Sequence, residues 1–425
     1  MFQRVMKTCL ALAVASASSQ ALANGLAINE QSASGAGTAF AGRSSSALDS
    51  STIYGNPAGL ARLKRAEVSG GIAMVKADVD ISNVNSTAQG SNKGDMVPLA
   101  HVPFGYYAKP INDEWAFGLG VYAPFGVISD YEKSFQGSSH GLYSSVRVVT
   151  IQPTVSYAFN DRVSIGFGPT FNRIDGKLTN TLATSQMGAP SDTLVNIKGD
   201  DAAMGFNVGV MASLTDRTTV GATYHSKVKY QLEGRTKISG SPMGMFDGEM
   251  NAKLDITMPE SLDLSVTHQL DDRWTLYAGG VWTRWSRLEG IEVRNSNPVS
   301  PRFATISEEL NWENTWSFSV GTAYQLNPQW VLRSGLALDP SPTSNAHRNV
   351  RIPVGNRKIF TLGAGWSPND DVTLDLAYAY LWENTASVHQ KAGSEIAPGV
   401  LLKQEYNAKY DNSAHGLTAQ LTYRF

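Results

Sequence analysis

Alternation of side-chain character along segments that end in short polar turns is the feature that most limits how this chain can fold. Leu374, Leu376, Tyr378, Tyr380 and Trp382 share one parity, and Thr373, Asp375, Ala377 and Ala379 share the other. That is a strand with one apolar and one polar face, because successive side chains point to opposite sides of a sheet. Leu262, Leu264 and Val266 alternate with Asp263, Ser265 and Thr267 in the same way. The C-terminal segment is the cleanest case: Leu417, Ala419, Leu421, Tyr423 and Phe425 oppose Gly416, Thr418, Gln420, Thr422 and Arg424. Alternation by itself suits a β-sandwich as well as a barrel.

The turns separate the two. Short polar punctuation recurs at Ile111-Asn112-Asp113, Asn160-Asp161-Arg162, Thr215-Asp216-Arg217, Asp271-Asp272-Arg273, Asn327-Pro328-Gln329 and Pro368-Asn369-Asp370-Asp371. Apolar or aromatic strand starts follow, as in Asp272-Arg273-Trp274. Successive turns lie roughly 40–56 residues apart, room for two long strands and one long loop. Gly/Ser/Asn/Pro-rich stretches near 80–96, 127–142, 176–200, 238–249, 291–305, 340–356 and 389–404 supply the loops. Six turns at one end and seven loops at the other predict an all-β, antiparallel transmembrane barrel of about fourteen strands. Trp115, Trp274, Trp330, Tyr423 and Phe425 flank the short turns, where ring and polar edge both suit a bilayer interface. A terminal Phe425 with Tyr423 two positions before it resembles the signal read by the outer-membrane barrel assembly machinery.

Export fits this fold. Arg4 and Lys7 precede the short apolar run Cys9–Ala15, and Ala21-Leu22-Ala23 offers a small-x-small cleavage site. Residues 1–23 therefore read as a signal peptide and Asn24 as the mature start. The single cysteine, Cys9, leaves with that segment, which excludes disulfides and thiol chemistry from the mature chain. A mean hydropathy of −0.20 does not oppose a membrane location, because only every second barrel residue faces lipid. A formal net charge of −2 gives no basic patch for nucleic acid.

Residues 24–65 do not alternate; they are rich in Gly, Ala and Ser and contain Asn56-Pro57-Ala58. An empty barrel of about fourteen strands would hold a water-filled lumen. This segment is predicted to fold inside it as a hatch, with 66–425 forming the barrel; a periplasmic tail is the other reading. Ile28, Phe40, Ile53, Tyr54 and Leu60 give it side chains to pack.

Asn24-Gly25-Leu26-Ala27-Ile28-Asn29-Glu30-Gln31-Ser32-Ala33-Ser34-Gly35-Ala36-Gly37 resembles the mature N-terminus of the FadL/TodX family of outer-membrane hydrophobic-compound transporters. Asn56-Pro57-Ala58 is similar to that family's hatch motif, and Thr223–Lys229, Met258–Ser261, Trp282–Ser286 and Arg333–Asp339 continue the likeness in order. So do Ser341-Pro342, Asn349 and Ile352-Pro353. The resemblance implies a fourteen-stranded, hatch-plugged monomer in the Gram-negative outer membrane, in contact with outer-membrane lipid. It also implies passive uptake of long-chain fatty acids or, alternatively, aromatic hydrocarbons, without cofactor or metal. In this family ligand rests in an external loop groove, passes to an interior site, and leaves sideways after a hatch shift.

Several residues fit these roles. Leu178, Leu182, Met187 and Leu194, with Met243, Met245 and Phe246, place apolar side chains on two expected extracellular loops. An exposed apolar patch marks a binding site, and Met adapts to flexible chains; packing among themselves is the plainer role. Asn56, Pro57 and Ala58 are the expected gate of the hatch. Gly118, Gly120, Pro124 and Gly126 crowd the third strand, where Pro and Gly weaken ladder pairing and suit a lateral opening or a strand end. Arg173 aligns with a family arginine near the interior head group, and a guanidinium pairs well with carboxylate; an ion pair with Asp175 inside the lumen is the alternative. Glu313 stands where a basic partner would be expected, leaving room for a neutral hydrocarbon. Arg333 and Asp339 suit a polar lumen network.

Two other function classes are poorer fits. A lipase would need Ser beside His, and Ser265 and His268 lie three apart on a strand, hence on opposite faces. Ser139-His140 lacks a third group to orient the imidazole, so no catalytic residue is assigned. A diffusion porin would need an open lumen, against the expected hatch.

Overall fold

The computed structural model describes residues 25–184, 190–397 and 399–425. The expected signal peptide and Met187 therefore fall outside the described residues.

The chain forms a closed barrel of fourteen antiparallel staves. The first six are β1 (Glu67–Ser86), β2 (Ala100–Pro110), β3 (Trp115–Asp130), β4 (Tyr143–Ala158), β5 (Val163–Thr184) and β6 (Pro190–Thr215). Four interrupted staves follow. They are β7 (Thr218–His225) with β8 (Val228–Ser239), β9 (Gly248–Met258) with β10 (Ser261–Gln269), β11 (Trp274–Thr283) with β12 (Gly290–Ser296), and β13 (Thr305–Glu309) with β14 (Thr315–Asn327). Then come β15 (Trp330–Asp339), β16 (Arg357–Trp366), and β17 (Val372–Glu383) extended by β18 (Ala386–Gln390). After a small loop hairpin of β19 (Glu395–Ala397) and β20 (Val400–Leu401), β21 (Tyr406–Arg424) completes the set. It pairs with both β17 and β1, from Glu67↔Arg424 to Ser86↔Tyr406, and so closes the sheet without a free edge. Closure lets neighbouring strands satisfy one another's backbone groups without water everywhere but at one break between β2 and β3, as a spanning sheet requires.

Polarity is inverted relative to a water-soluble core. Gln152, Thr154, Thr223, Gln420 and Thr422 are buried inward, while Phe167, Leu332, Leu376 and Leu421 are exposed outward. The final strand keeps the predicted parity throughout, with Leu417 46 % and Thr418 4 % exposed.

The six short turns stand where the polar punctuation put them, and five share one device. The side-chain oxygens of Asn112, Asn160, Asp271, Asn327 and Asn369 each accept from the backbone N–H groups two and three residues on. An Asx side chain thereby replaces the backbone acceptor and starts the next strand. The opposite end differs from expectation. Residues 176–200 are mostly not a loop: β5 and β6 run on as a hairpin, paired from Val163↔Ala212 to Ala183↔Pro190. Glycines in that stretch, Gly176 and Gly199, sit opposite one another in the ladder rather than in a turn.

Candidate ligand path

Residues 25–63 run across the inward faces of strands from much of the barrel. Their small side chains match glycines in the wall. A Cβ on Gly221 would lie 1.7 Å from Ser44 O, one on Gly279 2.4 Å from Ala41 O, and one on Gly335 2.3 Å from Thr38 C. Backbone therefore meets backbone, a fit that a side chain on the wall residue would prevent. The middle of the segment is secured by specific bonds. Arg43 Nε donates to Asp263 Oδ2 at 2.8 Å and Arg43 Nη1 to Asn29 Oδ1 at 3.1 Å. Ser44 Oγ donates to Asp263 Oδ1 at 2.7 Å.

Asn56-Pro57-Ala58 is a fastening. Asn56 Oδ1 accepts from Ala58 N at 3.0 Å and caps the 3-10 turn Pro57–Arg62. Its Nδ2 donates to Ser44 O at 2.6 Å and to Val210 O on β6 at 2.9 Å. Gly209 and Gly166 make room for Asn56 and Pro57, with a Cβ on either falling within 2.2 Å of them.

The wall breaks at β3. The β2–β3 ladder ends at Gly105↔Val121, although β2 continues along β1 to Val75↔Ala100. The β3–β4 register shifts between Tyr122 and Phe125, as the Pro124 signal predicted. Above the break the N-terminal residues take the place of β2. Ile28 N donates to Pro124 O at 2.9 Å and Gly126 N to Leu26 O at 2.8 Å. The gap in hydrogen bonding is filled by packing of Ile28, Ala73, Val102 and Ala123. Gly126 admits Ile28, whose Cδ1 would lie 2.9 Å from an added Cβ. Gly118 and Gly120 sit below the break in intact pairing with Ala108 and Tyr106, so they do not weaken the ladder. Instead they seat Ile53 against the wall.

Among the described residues, three of the interior spaces bear on a path through the barrel. An upper groove of about 570 Å³ has apolar walls that include Ile174, Leu178, Ile197, Leu232 and Leu254. A second space of about 820 Å³ lies beside the break and includes Pro124, Phe125, Asn172, Asn207, His225 and Arg43. A third, of about 860 Å³, includes Glu30, Phe40, Asp339, Arg357 and Leu381, and again Arg43. Burial pushes the Glu30 carboxyl above the usual carboxylate range, with backbone N–H groups and Arg357 offsetting part of that.

The expected site residues do not all converge on this path. Leu178 lines the upper groove, and buried Leu182 and Phe246 belong to the apolar cluster above it, Phe246 edge-on to Phe303. Leu194 is 37 % exposed, and Met243 and Met245 project from a loop tip at 96 % and 55 % exposure. None of the three lines the groove. Arg173 requires a correction: it shares the outward face with Phe171, whereas Asn172 and Ile174 are buried on the inward face. It pairs with Asp200 at 2.9 Å and Asp175 at 3.5 Å, both outside the barrel, so neither the interior head-group role nor a lumen ion pair fits its position. Arg333 and Asp339 do lie in the lumen network, bonded to Asp375 and, at 3.7 Å, Arg357. Glu313 is exposed, its backbone N–H on Pro342 O.

Arg43 was missed. It is the one basic residue between Lys7 and Arg62, and a lone cation in a small-residue segment is a readable signal. Its side chain is only 10 % exposed yet reaches two of the three spaces.

Comparison with known proteins agrees with this architecture. The model of the outer membrane protein transport protein family (OMPP1/FadL/TodX) matches residues 14–425. The chain is 25 % identical over 407 residues to the long-chain fatty acid transport protein of Escherichia coli O6:H1, covering 88 % of this chain and 90 % of that one. It is 28 % identical to outer membrane protein P1 of Haemophilus influenzae, covering 97 % and 96 %. A Pseudomonas aeruginosa FadL homologue superposes with a TM-score of 0.84 at 24 % identity, over 94 % of this chain and all of that one. The Ralstonia pickettii toluene transporter TbuX gives 0.65 at 17 %, over 90 % and 95 %. The chain belongs to the OMPP1/FadL/TodX family of outer-membrane transport proteins.

Proposed function

We propose that this outer-membrane transporter carries long-chain fatty acids inward by passive diffusion through the three interior spaces. The observation that carries the reading is their chemistry in sequence: an apolar groove, then a space floored by buried Arg43, then the broken ladder at Pro124. An alkyl chain gains burial in the groove at roughly 0.8 kcal/mol per CH₂. Its carboxylate finds Arg43, whose Nη2 donates to no described residue. Displacing Ile28 from the β2–β3 gap then frees a sideways exit into the membrane, with residues 25–63 acting as the hatch and Asn56-Pro57-Ala58 as its fixed hinge. Weak contacts at each stage permit release.

Aromatic hydrocarbon is the second reading, favoured by Glu30, since a cavity bordered by a buried carboxyl group suits a neutral ligand. Uptake of labelled oleate and labelled toluene by cells lacking their own transporter separates the two. The variant Arg43→Gln/Asp263→Asn keeps a neutral hydrogen-bonded pair. Fatty-acid transport predicts that it loses oleate uptake about tenfold or more and keeps toluene uptake. Unchanged oleate uptake would remove Arg43 from the mechanism.

A further inference from the structure

Above the apolar band, the outward face of the β5–β6 hairpin and its neighbours carries charge in an uneven order. The register sets Lys177 opposite Lys198, and Lys198 opposite Arg235 on β8, so three cations occupy one rung of three adjacent strands. All three share the outward parity, and Lys237 stands two residues beyond Arg235 on the same face. Like charges directly opposite one another destabilise a sheet. The carboxylates nearby do not neutralise this rung. Asp175 and Asp200 are held by Arg147 and Arg173, and Glu233 by Lys253. Glu249 alone reaches the rung, at Arg235. Lys177 lies over the Tyr143 ring at 4.3 Å, and neither it, Lys198 nor Lys237 forms an ion pair among the described residues.

We propose that this rung binds phosphate groups of the outer-leaflet glycolipid. The level is right. Lys177 is six residues beyond outward-facing Phe171 on an unbroken stretch of ladder. With a rise of about 3.3 Å per residue and a tilt of about 40°, that is roughly 15 Å above the acyl-chain region, within the sugar layer. Neighbouring strands are about 4.8 Å apart, so the rung spans about 10 Å, room for one or two phosphates held by several donors. The anion would relieve the like-charge rung, and the protein would gain a lipid collar beside its ligand entrance.

The test uses the full-length protein in detergent micelles with purified rough lipopolysaccharide, the same lipid after dephosphorylation, and sodium phosphate. Lys177→Gln/Lys198→Gln/Arg235→Gln should weaken binding of the phosphorylated lipid on the order of a hundredfold. The dephosphorylated lipid should bind wild type and variant equally weakly. Lys76→Gln/Lys358→Gln/Lys409→Gln removes the same charge elsewhere on the barrel and should leave affinity unchanged, and Lys177→Arg/Lys198→Arg/Arg235→Lys should retain it. Equal losses in the two glutamine triples would overturn the proposal, as would equal affinity of wild type for both lipids. Competition by sodium phosphate at about 10 mM would reassign the rung to free anions.

Discussion

Removing Asp263 tests whether the N-terminal segment seals the barrel. Asp263 is 3 % and Arg43 10 % exposed at the side chain, so their 2.8 Å bond is made out of water. Truncating one member of such a pair strands the other charge, which costs about 3–5 kcal/mol. Asp263→Ala also removes the acceptor of Ser44 Oγ, about 1 kcal/mol more. The sum, about 4–6 kcal/mol, corresponds to a factor of roughly 10³–10⁴ in the undocked population. In planar bilayers Asp263→Ala should therefore show frequent openings, while wild type stays nearly silent. Arg43→Gln/Asp263→Asn should restore most of the seal, because no bare charge remains. Wild-type conductance for Asp263→Ala would refute the argument that this pair holds the segment in the lumen.

Other outcomes follow from the same geometry. Arg173→Ala should leave oleate uptake unchanged, because the side chain faces away from the lumen; loss of uptake in whole cells would restore its interior role. Gly126→Val, which forces the added side chain onto Ile28, should alter uptake through the β2–β3 gap several-fold without raising ion conductance; a leak without a change in uptake would contradict a lateral exit. His140 bonds Gln404 O across two extracellular loops, and burial, with repulsion from Lys403, lowers its pKa to about 4. The folded loops hold it neutral, so their stability is intact above the unfolded value of about 6.5 and falls as pH drops through 6.5 towards 4, by up to roughly 3 kcal/mol. Protection factors, that is exchange corrected for the intrinsic rate at each pH, should fall in the segments around residues 138–142 and 402–406 between pH 7 and pH 5, and His140→Gln should abolish that fall.

Some of what the structure shows was already readable, and the rest has definite physical reasons for being hidden. Arg173 is instructive: period two places it on the face of Phe171, yet family resemblance pointed inward, and the parity was the better guide. Met243 and Leu178 look alike in sequence as apolar loop residues. Only the long hairpin turns one into the groove and leaves the other in solvent. Arg43 was visible as an isolated cation, but its partner Asp263 is 220 residues away.

Alternation and short polar turns needed no tertiary information, because side-chain parity and turn chemistry are local properties of a strand and its next few residues. They determined a closed, inverted-polarity barrel of about fourteen strands and the end that carries its short turns. The small-residue run before it likewise announced a segment able to lie backbone-to-backbone against a wall. Where that segment docks was decided only in three dimensions. The glycines opposite it, the Asp263 that fixes Arg43, and the stretch of β3 that leaves β2 for Leu26–Ile28 are far apart in the chain, and closure of the barrel is what brings them together.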